Sequence, residues 1–451
     1  MTSGASAGDR ASILVLYEAP ETFVGTIHEH LRSFAQYSRH AVSYAAATHG
    51  AAAVDLDDYD AVVVHYSVRI CLDDYLSPAY RGALAEYRGP KLLFIQDEYD
   101  TTETTRRNIE ALGIDVVFTC VPERYRELVY PRPRFPRVQF EPTLTGYVPS
   151  ELEGKPPARG SRPVVIGYRG RELPYWYGDL GREKVTIARR MKEYCKSRGI
   201  PVDIEWEEQH RIYGPQWFDF LRRCKATLGT ESGSNVFDDR GEIRRAVEAL
   251  LAQRPDASYE DVHAAIIAPH EGRVVMNQVS PRIFEAIACG TALVLFEGTY
   301  SGVVEQDRHY IPLRKDFANV DEVLARLADD DYVAALAQRA YEDVVASGRY
   351  SYRAFVSGFD RVLAPRLGAR RAARPAVRAA AVPADRPLDR REWKSLQRSR
   401  LPRPLAWLAE QGDAVKPALR PVWRALPSAW RETMRAAAGR AGGLMHRLVG
   451  R

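Results

Sequence analysis

Residues Ser280–Phe296 read SPRIFEAIACGTALVLF. Ile283, Phe284, Ala286, Ile287 and Ala288 make an apolar run of helix length, and Gly290 stands where a helix would stop. Thr291–Phe296 is a continuous apolar run of strand length, bounded by Glu297 and Gly298. A helix, a glycine stop and a buried strand make the αβ step of a parallel sheet. Glu285 breaks the apolar pattern. Burying a lone carboxylate is costly, so this side chain is expected to point at something that satisfies it.

The same alternation recurs along the chain. Ile13–Tyr17, Ala61–Tyr66, Lys91–Gln96 and Asp115–Cys120 are strand-like, and Thr26–Tyr37 is helical in pattern. A polar, proline-rich stretch from Pro149 to Pro163 then reads as a linker. Alternation restarts with Val164–Tyr168, a helix near Lys184–Arg198, the strand VDIEW, the helix WFDFLRRC and the strand KATLGT. Two doubly wound, Rossmann-like α/β domains in tandem are expected. The boundaries are set at 1–150 and 151–364, with an inserted helical stretch near Asp238–Ala265. A flexible linker (365–390) and a basic helical tail (391–451) follow.

With 451 residues, 45% of them apolar and 27% charged, the chain has the composition of a globular protein. No run approaches the length of a transmembrane helix, and the start lacks the features of a signal peptide. The five cysteines are isolated, with no metal spacing, so reduced packed thiols in a cytoplasmic protein are expected. The net charge of +5 conceals an asymmetry: from Pro365 onward 20 Lys and Arg stand against 6 Asp and Glu, leaving −9 for residues 1–364. Nucleic-acid binding by the body is therefore not expected.

Open parallel sheets bind ligands beyond the carboxyl ends of their strands. After Val164–Tyr168 come Arg169, Arg171, Arg182 and Lys184, interleaved with Gly170, Gly178 and Gly181. Cations on a glycine-bearing loop that enters a helix suit a diphosphate; an ordinary basic surface loop has the same composition. After KATLGT, Glu231 and Ser232 open ESGSNVFD, which reads either as a turn beside a ligand or as a plain Ser-Gly turn. Gly298 and Gly302 would let the loop after Phe296 approach a ligand. In the first half, His28 and His30, His65, and Asp97-Glu98 lie at or just after strand ends. Tyr175, Trp176 and Tyr177 are candidates for stacking or for core. Asp58-Tyr-Asp60 imitates a DxD metal motif but sits before a strand among other acids, so it reads as a solvated turn and no metal is expected.

SPRIFEAIACGTALVLF, followed by HYIPLRKDFANVDEVLARLADD, resembles the donor-binding half of GT-B glycosyltransferases, in particular the spore-maturation-type branch of the family 1/4 proteins. The resemblance is specific over residues 164–363 and weaker over 11–148. It implies that Glu285 bonds the ribose of a nucleotide-diphosphate sugar and that Arg169 or Arg171 with Lys184 holds the diphosphate. Ser232, Arg282 and Gly302 are further donor-side candidates; the resemblance favours retention of configuration, and inversion would need a base such as His28, Asp97 or Glu98. Many relatives carry a second glutamate where this chain has Asn277, so either that contact is lost or Glu231 serves instead. The implied activity is sugar transfer to an acceptor hydroxyl, carbohydrate or lipid-linked, in surface-glycan synthesis, without cofactor. A nucleotide-sugar 2-epimerase and a non-catalytic scaffold share the same features.

From Ser428 on, Trp430, Met434, Ala437, Ala441, Met445 and Leu448 recur at helical spacing among Arg431, Arg435, Arg440 and Arg447. A basic amphipathic helix bearing tryptophan is the pattern of a peripheral membrane element; docking on the protein's own surface is the alternative. In co-sedimentation with anionic liposomes, the full chain should be recovered in a salt-sensitive way and a chain ending near Pro365 should not. Equal recovery of both removes the membrane reading.

Overall fold

The computed structural model describes residues 10–367, apart from 20, 21, 23, 49, 50, 52, 74, 156, 158 and 159, together with 386 and 387. Residues 368–385 and 388–451, which take in most of the expected linker and the whole tail stripe from Trp430 to Leu448, lie outside the described residues.

The first sheet holds β1 (Ser12–Tyr17), β2 (Ala41–Ala46), β3 (Ala61–Val64), β4 (Lys91–Phe94), β5 (Val116–Thr119) and β6 (Gln139–Pro142), all parallel, in the order β2-β1-β3-β4-β5-β6. Helices α1 (Gly25–Tyr37), α2 (Pro78–Glu86), α3 (Thr102–Leu112) and α4 (Glu123–Val129) connect its strands. The second sheet holds β7 (Val164–Arg169), β8 (Val202–Glu205), β9 (Cys224–Gly229), β10 (Ala292–Phe296) and β11 (Ile311–Leu313), again parallel, in the order β11-β10-β9-β7-β8. Its helices are α5 (Gly178–Ser197), α6 (Pro215–Arg223), α7 (Glu242–Gln253), α8 (Tyr259–Val262), α9 (Pro281–Ala288), α10 (Val320–Ala328) and α11 (Asp330–Ala340). Two Rossmann-like sheets in tandem are the architecture that the resemblance implies.

The central strands β3, β4, β5 and β10 are buried at every position, as expected of parallel strands covered by helices on both faces. The opening stretch folds as read. Pro281 starts α9 without losing a needed donor, Gly290 leaves it at φ +67°, and β10 follows. A side chain at Gly290 would also press on Pro157.

Three strands escaped the sequence reading, β2, β6 and β11, and all three lie at sheet edges. Edge strands need not be apolar on both faces. Every residue of β6 is partly or fully exposed, and β11 tolerates Pro312 because an edge strand need not donate at every N–H.

The inserted stretch carries α7 and α8, then a π-helical turn over His263–Ile267. It closes a small core of its own around Ile243, Val247, Tyr259, Val262 and Ile267, against which Tyr175 and Trp176 pack. Those two aromatics are half-buried and serve the packing of this small core. The turn at Asp58–Asp60 is structural as well: Asp60 accepts from the Ser12 N–H at 2.8 Å and pins the start of β1.

The last helix, α12 (Tyr352–Leu367), crosses back to the first sheet. Tyr352, Phe355, Val356, Phe359 and Leu363 join the core built by β1, β3, β4 and α1. Asp360 caps the end of α1, accepting from Ser38 Oγ at 2.8 Å and the Arg39 N–H at 3.0 Å. Phe359 is 1% exposed, against Phe34, Phe94 and Phe118. Its replacement by alanine should cost about 3–5 kcal/mol, as for other buried aromatics. Denaturant unfolding of Phe359→Ala checks this, and a loss below about 1 kcal/mol would mean that α12 is not integral to the first core.

Candidate functional site

A cavity of about 820 Å³ lies between the two sheets. From the first half it takes one face of α1: Gly25, His28, Glu29, Arg32 and Gln36, spaced as successive helical turns. From the second half come the loop after β7 (Arg169, Arg171, Leu173), Lys184 on α5, the end of β9 through Ser232, and Ser280–Ile283 with Glu285 of α9. Arg211–Pro215 and Trp217 close another wall.

Glu285 is 9% exposed and its carboxylate accepts a 2.7 Å bond from Trp217 Nε1. Burial raises its pKa, opposed by that indole bond and by the nearby Arg282. The sequence puzzle therefore resolves into a carboxylate at a cavity wall with one oxygen held by the protein. Trp217 went unread in the sequence because only the packing of α6 on α9 brings it there.

Arg171, Lys184 and Arg282 line the same cavity. Lys184 is held down to about pKa 8, first by burial, then by the like charges of Arg282 and Arg171. Arg171 is exposed and pairs with no acid among the described residues. Arg282 stacks on Trp217 and donates to the backbone oxygen of Arg169. Arg169 is spent structurally: it pairs with Asp203 at 2.7 Å and lies over Phe220. Between the two arginines offered by the sequence, the geometry leaves Arg171 available.

Glu231 and Asn277, weighed as alternatives, stand together: Asn277 Nδ2 donates to Glu231 Oε2 at 2.5 Å. The other oxygen of Glu231 accepts from the Thr299 and Tyr300 N–H groups at 3.0 and 2.7 Å. This carboxylate staples the loop after β10, and Gly298 is needed because a side chain there would collide with it. Neither residue lines the cavity. Ser232 does, with its backbone bonded to Gln278 both ways. Gly302 has φ +71° in a turn away from the cavity wall.

Of the first-half candidates, His28 lines the cavity and His30, His65, Asp97 and Glu98 do not. His30 and His65 form a buried pair, Nδ1 to Nε2 at 2.9 Å, boxed by aromatic rings. Burial lowers both, His30 to about 3. Asp97 is tied to Arg69 and Tyr99, yet is close enough to Lys184 to favour its charged form. Glu98 is fully buried, bonded to Thr119 Oγ1 and the Cys120 N–H, with Oε2 unpartnered. Glu29 is the acid the sequence reading missed. It lies one residue from His28 on the cavity face, accepts from the Ser150 N–H, and has its pKa raised by burial.

Residues 182–355 match the model of a family described as glycosyl transferase-like. That span includes Lys184, Arg282 and Glu285. Curated protein sequences give no significant match. Among solved structures, HepE of Anabaena, in complex with UDP and glucose, is 12% identical with a TM-score of 0.44, over 79% of this chain and 100% of its own. Sucrose-phosphate synthase from Thermosynechococcus elongatus is 12% identical with a TM-score of 0.41, over 80% and 100%. TarM is 13% identical with a TM-score of 0.37, over 67% of this chain, which spans 54% of TarM.

Burial pushes the Glu98 pKa up to about 8. Between the unfolded value near 4.5 and about 8, the folded protein holds a proton that the unfolded chain has released. This residue therefore contributes a loss of stability as pH rises through that window. Glu98→Gln should flatten the decline in melting temperature between pH 5 and 8. An unchanged slope would show that Glu98 is ionised at neutral pH.

Proposed function

We propose that this chain is a glycosyltransferase that moves a sugar from a nucleotide-diphosphate donor to an acceptor hydroxyl. One observation carries the reading: Arg171, Lys184 and Arg282 converge on a cavity wall where their mutual repulsion calls for a polyanion, beside the half-satisfied carboxylate of Glu285. The glycosyl transferase-like match, whose span takes in Lys184, Arg282 and Glu285, supports it.

In this reading the diphosphate lies against Arg171, Lys184 and Arg282, whose charges stabilise the leaving group as negative charge develops on it. Bound phosphate would restore the proton affinity that Lys184 lacks without it. Glu285 faces the donor ribose, and the exposed Tyr213 at the wall offers a stacking surface for the base. The acceptor enters along α1, where His28 and Glu29 stand as bases for an inverting transfer; retention needs none there. Docking of the acceptor over the sugar excludes the water that would hydrolyse the donor. The basic, tryptophan-bearing tail supports a lipid-linked or surface-glycan acceptor, and the spore-maturation-type likeness fits the same setting.

A calorimetric screen against UDP-, GDP- and CDP-sugars tests the site. Glu285→Gln should weaken donor binding by about 1.5–3 kcal/mol, the range for bonds to charged groups. Arg171→Ala and Lys184→Ala should each raise the donor Kd roughly 10- to 100-fold by the same range, with monophosphates much less affected. Equal losses for mono- and diphosphate would remove the diphosphate assignment. Donor turnover to an isomeric sugar nucleotide without any acceptor would point to an epimerase instead.

A further inference from the structure

On the far side of the glycine-bearing loop, Asp179, His263 and Glu271 come together, their ligand-type atoms all within 4.8 Å of one another. Asp179 stands in the first turn of α5, while His263 and Glu271 come from the inserted stretch, on its π-helical turn and just beyond it. None of the three lines the large cavity. We propose that these three side chains bind a divalent transition-metal ion, Zn²⁺ in the first place, that clamps the inserted stretch to the start of α5.

His263 Nε2 is shielded from solvent and has no hydrogen-bond partner. It faces Asp179 Oδ1 at 3.8 Å and Glu271 Oε2 at 3.9 Å. Both gaps are too long for hydrogen bonds. They suit two ligands of one ion, which stand about 3–4 Å apart when each bond is about 2.0–2.2 Å.

The supporting contacts orient the carboxylates. Tyr259 Oη donates to Asp179 Oδ1 at 2.7 Å, and the Asp179 N–H donates to Glu271 Oε2 at 3.1 Å. Such outer bonds fix the ligands of metal sites. Gly178 completes the fit, because a side chain there would collide with the Glu271 carboxylate.

Charge also favours a cation. Neither acid pairs with a lysine or arginine among the described residues, and Arg182, which lies over Tyr259, is paired with Glu172. The N-terminal dipole of α5 opposes a cation with about half a positive charge, against two full negative charges. One imidazole with two carboxylates is a ligand set for zinc or manganese, and a poor one for magnesium, which prefers oxygen alone. Asp179 is largely solvent-exposed, so water can fill the remaining positions. The ion would hold in place the helix on which Lys184 rides.

The full chain, stripped with chelator and dialysed against Zn²⁺, Mn²⁺ or Mg²⁺, is assayed for bound metal by mass spectrometry and for melting temperature. Expected are about one Zn²⁺ per chain, a raised melting temperature with Zn²⁺, and no retained Mg²⁺. His263→Ala and Asp179→Asn should each lose at least about tenfold in Zn²⁺ affinity, the usual scale for disturbing a metal site, with unchanged circular dichroism. Metal content equal in wild type and either folded variant, or no Zn²⁺ retained by wild type, overturns the proposal.

Discussion

In a parallel sheet no strand can hand over to its neighbour by a hairpin, so each carboxyl end must open into a loop that leads to a covering helix. All such loops of one sheet gather on one edge. Here both sheets present that edge to the same space, and the polar chemistry of the molecule collects there. Buried strands such as β4 and β10 form the frame, and β10 gives Leu293 and Leu295 to the cavity wall. Just beyond the end of β4, Asp97 is held close enough to Lys184 of the other half to favour its charged form.

The two halves are joined by more than a linker. The helix α12 completes the apolar core of the first sheet, and Asp360 caps α1. On the other side of the cleft, Gln278 Nε2 bonds the Cys120 oxygen at 2.9 Å, and the Thr102 and Glu103 N–H groups reach the Asp238 and Asp239 oxygens. The inserted stretch thus bridges the second sheet to α3 of the first. These contacts set the cavity width and keep α1 opposite α9.

Polar groups inside this frame divide by how they are satisfied. Glu231, Asp60 and Asp360 each accept from a backbone N–H and at least one side-chain donor, and act as staples. Among the described residues the Glu285 carboxylate has a single hydrogen-bond partner, and the like charges of Arg171 and Arg282 bear on Lys184. Unsatisfied charge at a cavity wall is costly unless a ligand supplies the missing partner, which is why the site stands out from the many satisfied acids elsewhere.

Much of this was legible in the sequence. Continuous apolar runs identified the central strands, because a strand covered on both faces has no polar side to alternate. FEAIACG marked the helix, its glycine stop and the one carboxylate out of pattern, since helix-stop geometry and the cost of burying charge are local matters. The basic loop was visible too, but not which of its arginines is free: Arg169 is consumed by Asp203 and Phe220, which lie far away in sequence. Of the edge strands, β6 was hidden because exposure removes the apolar signal, and β11 because it is three residues long with a proline at its centre. Trp217 against Glu285, Glu29 beside His28, Asn277 on Glu231 and the meeting of Asp179 with His263 and Glu271 were decided only by tertiary structure. Each joins residues tens of positions apart or places one on a particular helix face, and no local pattern of residue types encodes which distant side chain will arrive.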